Sequence, residues 1–196
     1  MKKKNVIAVL FMVLMIVIAI PTGMFRSIDK LRDDAAGTYY YDSTGYAVYQ
    51  GLDTRMETAE NLITVAERYV AQDTQLKARI DLVEYYIGMY NTNFDREADG
   101  FAQTVEANTG LTDAVQELYD ELKEVDLSEK DRDYPDQLLA LMKSEQDKIE
   151  RSSYNDDARA FNDQIRKFPL SLVRGFGVED MVTFDGSSSV DLVRAE

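Results

Sequence analysis

The sequence predicts an all-α protein: an elongated antiparallel helical bundle of about four helices behind a single N-terminal transmembrane helix. Three observations predict it. Apolar residues recur in alternating steps of four and three over several segments, the spacing of one narrow helical face. No strand-like alternation of apolar and polar residues interrupts them. And Lys2-Lys3-Lys4 stand before an uncharged stretch running to Phe25, enough for the roughly 20 residues that a bilayer crossing takes.

Composition narrows the chemistry. The 196 residues, 45% hydrophobic, suit one domain with an appendage. With no Cys and no His, thiol nucleophiles, Cys or His zinc sites, Ser-His-Asp triads and the Glu-x-x-His pair of di-iron bundles are excluded. Asp, Glu, Lys, Tyr, Ser and Thr are left for any catalysis. No cofactor or metal is expected. The formal net charge is -14. The three lysines of the first residues have no acid beside them, so the body is more acidic still. Such a body is repelled by phosphate backbones, and nucleic-acid binding is not expected.

Residues 1–25 are read as a cytoplasmic Lys cluster and an anchor, with Val6 to Ile20 as its charge-free apolar core. A signal peptide has the same basic head, but the best cleavage motif, Val17-x-Ala19, is poor, with Pro21 close behind. Beyond the span, Arg26, Lys30 and Arg32 are balanced by Asp29, Asp33 and Asp34. The positive-inside rule therefore keeps the lysines cytoplasmic and puts the acidic body outside.

Residues 26–178 are read as the bundle. Ile28, Leu31 and Ala35 hold helical spacing, and the helix is expected to weaken from Gly37 to Gly45. Tyr39, Tyr40, Tyr41, Tyr46 and Tyr49 form a candidate interaction surface, or else pack at a membrane-proximal collar. Leu52, Met56, Ala59, Ile63, Ala66 and Val70 make the next seam; Arg55 within it is expected to pair with a carboxylate of a neighbouring helix. Leu76, Ile80, Val83, Ile87, Tyr90 and Phe94 make another. Asn91-x-Asn93-x-Asp95 faintly resembles a calcium loop, but Arg96 and Ala102 occupy positions that need Gly and Glu. Asn108-Thr109-Gly110 is expected to stop the helix, with Thr112 capping a shorter one.

Pro135 fits the first turn of the last helix, expected to run unbroken to about Phe168, roughly 34 residues and near 50 Å. Its seam is Tyr154, Ala158, Phe161, Ile165, Phe168 and Leu172. Asn155 and Asn162 lie one heptad apart on one flank, where polar residues hydrogen-bond across a helix interface and fix register. Pro169 ends regular helix near Phe168. Residues 179–196 are read as a flexible tail, although the first part of the C-terminal segment, with Phe176, Val178, Met181, Val182 and Phe184, is expected to fold back on the bundle.

The run Arg151-x2-Tyr154-Asn155-x6-Phe161-Asn162-x2-Ile165-x2-Phe168-Pro169, followed by Leu172, Val173 and Phe176-Gly177-Val178, resembles the closing signature of the LemA family. Val48, Leu52, Arg55, Asn61-Leu62-Ile63 and Tyr69 match a second region of that family without a gap. Thr54, Glu57 and Glu60 depart from it, replacing an Arg, an Asp and a Pro, and the family's usual Ala-Trp pair is missing. The resemblance implies a bacterial protein with an uncleaved anchor and an elongated antiparallel bundle, and brings no established activity. The expected function is therefore non-catalytic: a single-pass protein that scaffolds or binds proteins at the cell envelope. Its expected partners are the bilayer, through the first helix, and proteins, a second copy of the chain among them. The alternatives are a carboxylate-dependent hydrolase using Asp131 and Asp133 or Asp156 and Asp157, or an adaptor for a membrane protease or transporter. Adjacent acids on a helix diverge by about 100°, which disfavours the hydrolase.

Overall fold

The computed structural model describes residues 3–43, 45–93 and 99–186. Within them lie six α-helices and no strand: α1 (Lys3–Tyr40), α2 (Val48–Ala66), α3 (Gln75–Asn93), α4 (Asp99–Lys123), α5 (Tyr134–Glu150) and α6 (Ser153–Ile165). The protein is an all-α helical bundle. Helix α3 packs on α4, α2 on α5, and α1 on α6. The seams read from the sequence form the core: Leu52, Met56, Ala59 and Ala66 of α2, Leu76, Ile80, Val83 and Ile87 of α3, and Tyr154, Ala158, Phe161 and Ile165 of α6 are all buried. Phe94 and the centre of the calcium-like loop lie outside the described residues.

Two expected helix breaks do not fall where the sequence put them, and one unexpected break appears. Helix α1 does not weaken at Gly37 but runs on to Tyr40. A helical Gly costs about 1 kcal/mol relative to Ala. Burying Tyr39 offsets it: its ring, 1% exposed, sits among Phe101, Tyr154 and Phe184 at centroid distances of 4.5, 5.7 and 5.7 Å. The chain turns only beyond Tyr40, using Gly45 at φ 93°, a left-handed conformation that favours glycine.

Helix α4 runs straight through Asn108-Thr109-Gly110. Thr109 and Thr112 donate their hydroxyls back to the carbonyls of Val105 and Asn108, both at 2.9 Å, which hides their polarity within the helix. Gly110 is there for close approach: a Cβ would collide with the ring of Tyr86 on α3.

Conversely, the single long C-terminal helix is two. Pro135 does sit in the first turn of α5, but that helix ends at Glu150 and α6 starts at Ser153. Ser152 adopts extended backbone and its Oγ accepts from Tyr154 N at 3.3 Å, an N-cap that stops one helix and starts the next. Helix α6 then ends at Ile165, ahead of Phe168-Pro169. Past that point the seam no longer predicts burial. Two short 3-10 turns follow, Leu170–Leu172 and Arg174–Phe176, and Phe168 and Leu172 are 81% and 60% exposed.

Candidate functional site

The residues of the closing signature converge on the joint between α5 and α6 and on the segment that folds back over α6. Asn155 is fully buried. Its Nδ2 donates to the carbonyls of Ile149 (2.8 Å) and Glu150 (3.1 Å) at the end of α5, where Ile149 O also accepts from Ser152 N at 3.2 Å. Its Oδ1 accepts from Phe184 N at 2.7 Å. One heptad on, Asn162 donates to Met181 O at 2.8 Å and accepts from Met181 N at 2.7 Å. Between them Tyr154 Oη donates to Val182 O at 2.9 Å. The two asparagines thus fix register, but against an extended strap instead of a facing helix.

The strap, residues 179–185, belongs to the segment read as tail. It lies against α6 with Met181 and Phe184 buried. Arg32 of α1 donates to Glu179 O at 2.6 Å, Arg166 pairs with Asp180 at 2.6 Å, and Arg159 pairs with Asp185. Backbone groups with no sheet to join are satisfied by side chains. Phe161, in the same signature, is buried under the guanidinium of Arg32, which stands 5.3 Å from its ring centroid.

Arg55 does not meet the expected carboxylate. It is 1% exposed, and its guanidinium donates to Met142 O (2.9 Å) and Thr112 Oγ1 (2.7 Å), with Asn108 O at 3.5 Å. Burial pushes its pKa down to about 10, against the pull of Glu150 and Glu145 at longer range. Arg55 therefore ties α2 to α4 and α5 at the floor of a cavity of about 230 Å³. Leu62 is buried in the core, while Asn61 is exposed at a recess shared with Arg68, Asp131 and Tyr134.

The tyrosines separate. Tyr39 is core. Tyr46 donates to Glu145 Oε2 at 2.5 Å and lies over Gly51 of α2. Tyr40 stacks at 6.0 Å on the half-buried Tyr49. Tyr40 and Tyr41 are exposed at 48% and 78%. Because α1 is continuous, Tyr40 stands roughly 22 Å beyond Phe25 along its axis.

Two of the four candidate acids, Asp131 and Asp156, are engaged in bonds to neighbouring side chains. Asp131 is buried and accepts from Arg68 (2.7 Å), Tyr69 Oη (2.8 Å) and Ser128 Oγ (3.2 Å). These donors, Tyr69 first, hold its carboxyl below the usual range. It joins the α4–α5 connection to the end of α2. Asp133, two residues on, is exposed. Asp156 pairs with Arg159 at 2.6 Å. Among the described residues no group of three or more acids is placed to hold a metal.

Sequence reasoning expected the start of the tail to fold back on the bundle but missed its bonding to Asn155 and Asn162, and it missed Ser152 and the glycine sockets. Ser152 had a local signal, a cap residue in the polar Arg151-Ser152-Ser153 cluster. Tyr39 also had one, since it continues the spacing of Ile28 and Ala35 by four.

Fold and site together define an all-α bundle protein whose N-terminal helix is long and apolar enough to cross a membrane, a candidate anchor. The model of the LemA family matches residues 46–191, and the chain belongs to the LemA family. Neither a curated protein nor a solved structure matches it.

Proposed function

We propose that the chain is a single-pass membrane protein whose bundle scaffolds or binds proteins at the cell envelope without catalysis, its acidic body on the extracytoplasmic side. One observation carries this reading. Helix α1 is unbroken: Leu10 to Ile20 are exposed and apolar, while Ile28, Ala35 and Tyr39 belong to the bundle core. Tether and body are thus one rigid piece, which suits holding a surface at a set height above a bilayer. The exposed Tyr40 and Tyr41 at the far end of α1 supply large contact area at low entropic cost. The capture of the buried Asp131 by Arg68, Tyr69 and Ser128 supports a non-catalytic role.

The chain has no native Cys, so single-Cys variants report cleanly. Asp113→Cys, exposed on α4, should react with an impermeant maleimide in intact cells. Reaction only after lysis would put the body on the other side. A photocrosslinker attached at Tyr41→Cys in native membranes should give discrete adducts, lost when Tyr40 is also replaced by Ser. Adducts no different from those at Asp113→Cys would remove the tyrosines from the interface.

A further inference from the structure

We infer that the turns following α6 form a second membrane contact, in which Phe168, Leu172 and Phe176 enter the headgroup–acyl boundary beside α1 while Lys167 and Arg174 face anionic headgroups. The inference rests on α1 crossing the bilayer.

Register places these turns. Tyr39 of α1 meets Tyr154 of α6 at 5.7 Å, and Arg32 meets Phe161 at 5.3 Å. Seven residues back along α1 correspond to seven residues forward along α6, so the helices are antiparallel and in step. Ser153 Oγ donating to Asp42 Oδ2 at 2.5 Å marks the far end of the same pairing. Continued toward the N-terminus of α1, the step brings the buried Ile165 level with the buried Ile28. Ile28 lies about 4.5 Å along the axis from Phe25, where the uncharged stretch ends. The chain leaves helix α6 at that level, and the two 3-10 turns follow immediately.

Side chains say what meets them there. Within nine residues Phe168, Leu172 and Phe176 are 81%, 60% and 76% exposed, although Val173 between them is buried. In water this is an unfavourable way to place three large apolar groups. Charge changes sign at the same place. From Gln164 to Val178 the chain holds Arg166, Lys167 and Arg174 and no acid, in a protein of net charge -14. Arg166 and Arg174 share Asp180 at 2.6 and 3.1 Å, and Lys167 is exposed, so the turns keep a positive excess. Apolar side chains flanked by Lys and Arg are what an interfacial lipid contact takes, to a depth of about 5–10 Å. The rest of the body, being acidic, is repelled by the same surface, so contact is confined to this end.

The test uses the full chain reconstituted in vesicles of phosphatidylcholine and phosphatidylglycerol. An environment-sensitive fluorophore is attached in turn at Phe176→Cys, Leu172→Cys, Val13→Cys within the span, and Tyr41→Cys. The exposure of Phe176 and Leu172 makes these replacements compatible with folding. Probes at 172 and 176 should be quenched by lipids carrying a spin label near the headgroup and shielded from aqueous iodide, and the probe at 13 should be quenched by lipids labelled deep in the acyl chain; the probe at 41 should be open to iodide and quenched by neither lipid. Omitting phosphatidylglycerol, or adding Lys167→Gln with Arg174→Gln, should reduce lipid quenching at 176 and leave position 13 unchanged. Iodide access at 172 and 176 with lipid quenching at 13 would overturn the inference and leave the anchor standing. Shielding from both quenchers would overturn it in favour of contact between copies. Loss of lipid quenching at 13 would remove the anchor and the inference together.

Discussion

Asn162 grips one residue of the strap at two points, donating to the carbonyl of Met181 at 2.8 Å and accepting from its amide at 2.7 Å. Its carboxamide does for Met181 what a neighbouring strand would do in a sheet. Asn162→Ala removes both bonds and is expected to cost about 1–3 kcal/mol. Asn162→Asp keeps the acceptor but turns an oxygen toward the Met181 carbonyl, so it should not restore stability. The check is local: amide exchange at Met181 should accelerate while that of α2 changes little. Equal loss of protection throughout the bundle would mean that the strap and the core unfold as one unit.

Asn155 is the more expensive residue to lose. It bonds two carbonyls at the end of α5 and the amide of Phe184, and it is fully buried. Asn155→Ala leaves Phe184 N and Glu150 O without their side-chain partner, while Ile149 O keeps its bond from Ser152 N at 3.2 Å, and a destabilisation of about 2–4 kcal/mol is expected in chemical denaturation. Ser152→Ala, which removes a cap, should cost about 1 kcal/mol. Were residues 134–165 one continuous helix in solution, both changes would be close to neutral or favourable.

The periodic part of this structure was legible because burial of Leu52, Leu76, Phe161 and their seam neighbours follows from local spacing alone. Helix breaks were not, because local weakness of about 1 kcal/mol is decided by partners distant in sequence. Gly110 survives inside α4 because Tyr86 fills the space above it, and Gly37 survives because Tyr39 is buried. The site was half legible. Tyr154, Asn155, Phe161 and Asn162 do act together, but Asn155 reaches Phe184 across 29 residues, and nothing in the intervening sequence announces that pairing. Phe168 failed as a seam residue for the plain reason that α6 stops three residues earlier.

Alkaline pH should separate folded from unfolded chains. Burial raises the phenols of Tyr39, Tyr90 and Tyr154 well above their ordinary value of 10.0, and Tyr46 is raised by burial and then by its bond to Glu145. An unfolded tyrosine loses its proton near pH 10, where these folded ones keep theirs. The folded state then binds more protons, so stability is fully present below pH 10 and falls as pH rises above it. Phenolate absorbance should show a fraction of tyrosines that ionise only as helical circular dichroism is lost. Smooth ionisation of all tyrosines while the helices remain intact would place these rings nearer to water than the structure does.

Two glycines in adjacent helices should respond to the same substitution with opposite signs. Replacing a helical Gly by Ala ordinarily stabilises by about 0.5–1 kcal/mol, because Gly loses more backbone freedom on folding. Gly88 of α3 has nothing within 4 Å of the place a methyl group would take, so Gly88→Ala should show that gain in full. Gly110 of α4 faces the Tyr86 ring at a separation that no Cβ tolerates, and Gly51 of α2 faces the Tyr46 hydroxyl and, at 2.7 Å, Ile149 Cγ1. Overpacking of this kind costs about 1–3 kcal/mol, more than the backbone gain, so Gly110→Ala and Gly51→Ala should destabilise. The compensating change distinguishes packing from backbone effects. Tyr86→Leu, with no ring to displace, should make Gly110→Ala far better tolerated in a double-mutant cycle while leaving the effect of Gly88→Ala as it was. A Gly110→Ala penalty of the same size with and without the Tyr86 ring would show that the α3–α4 contact is not made through this socket.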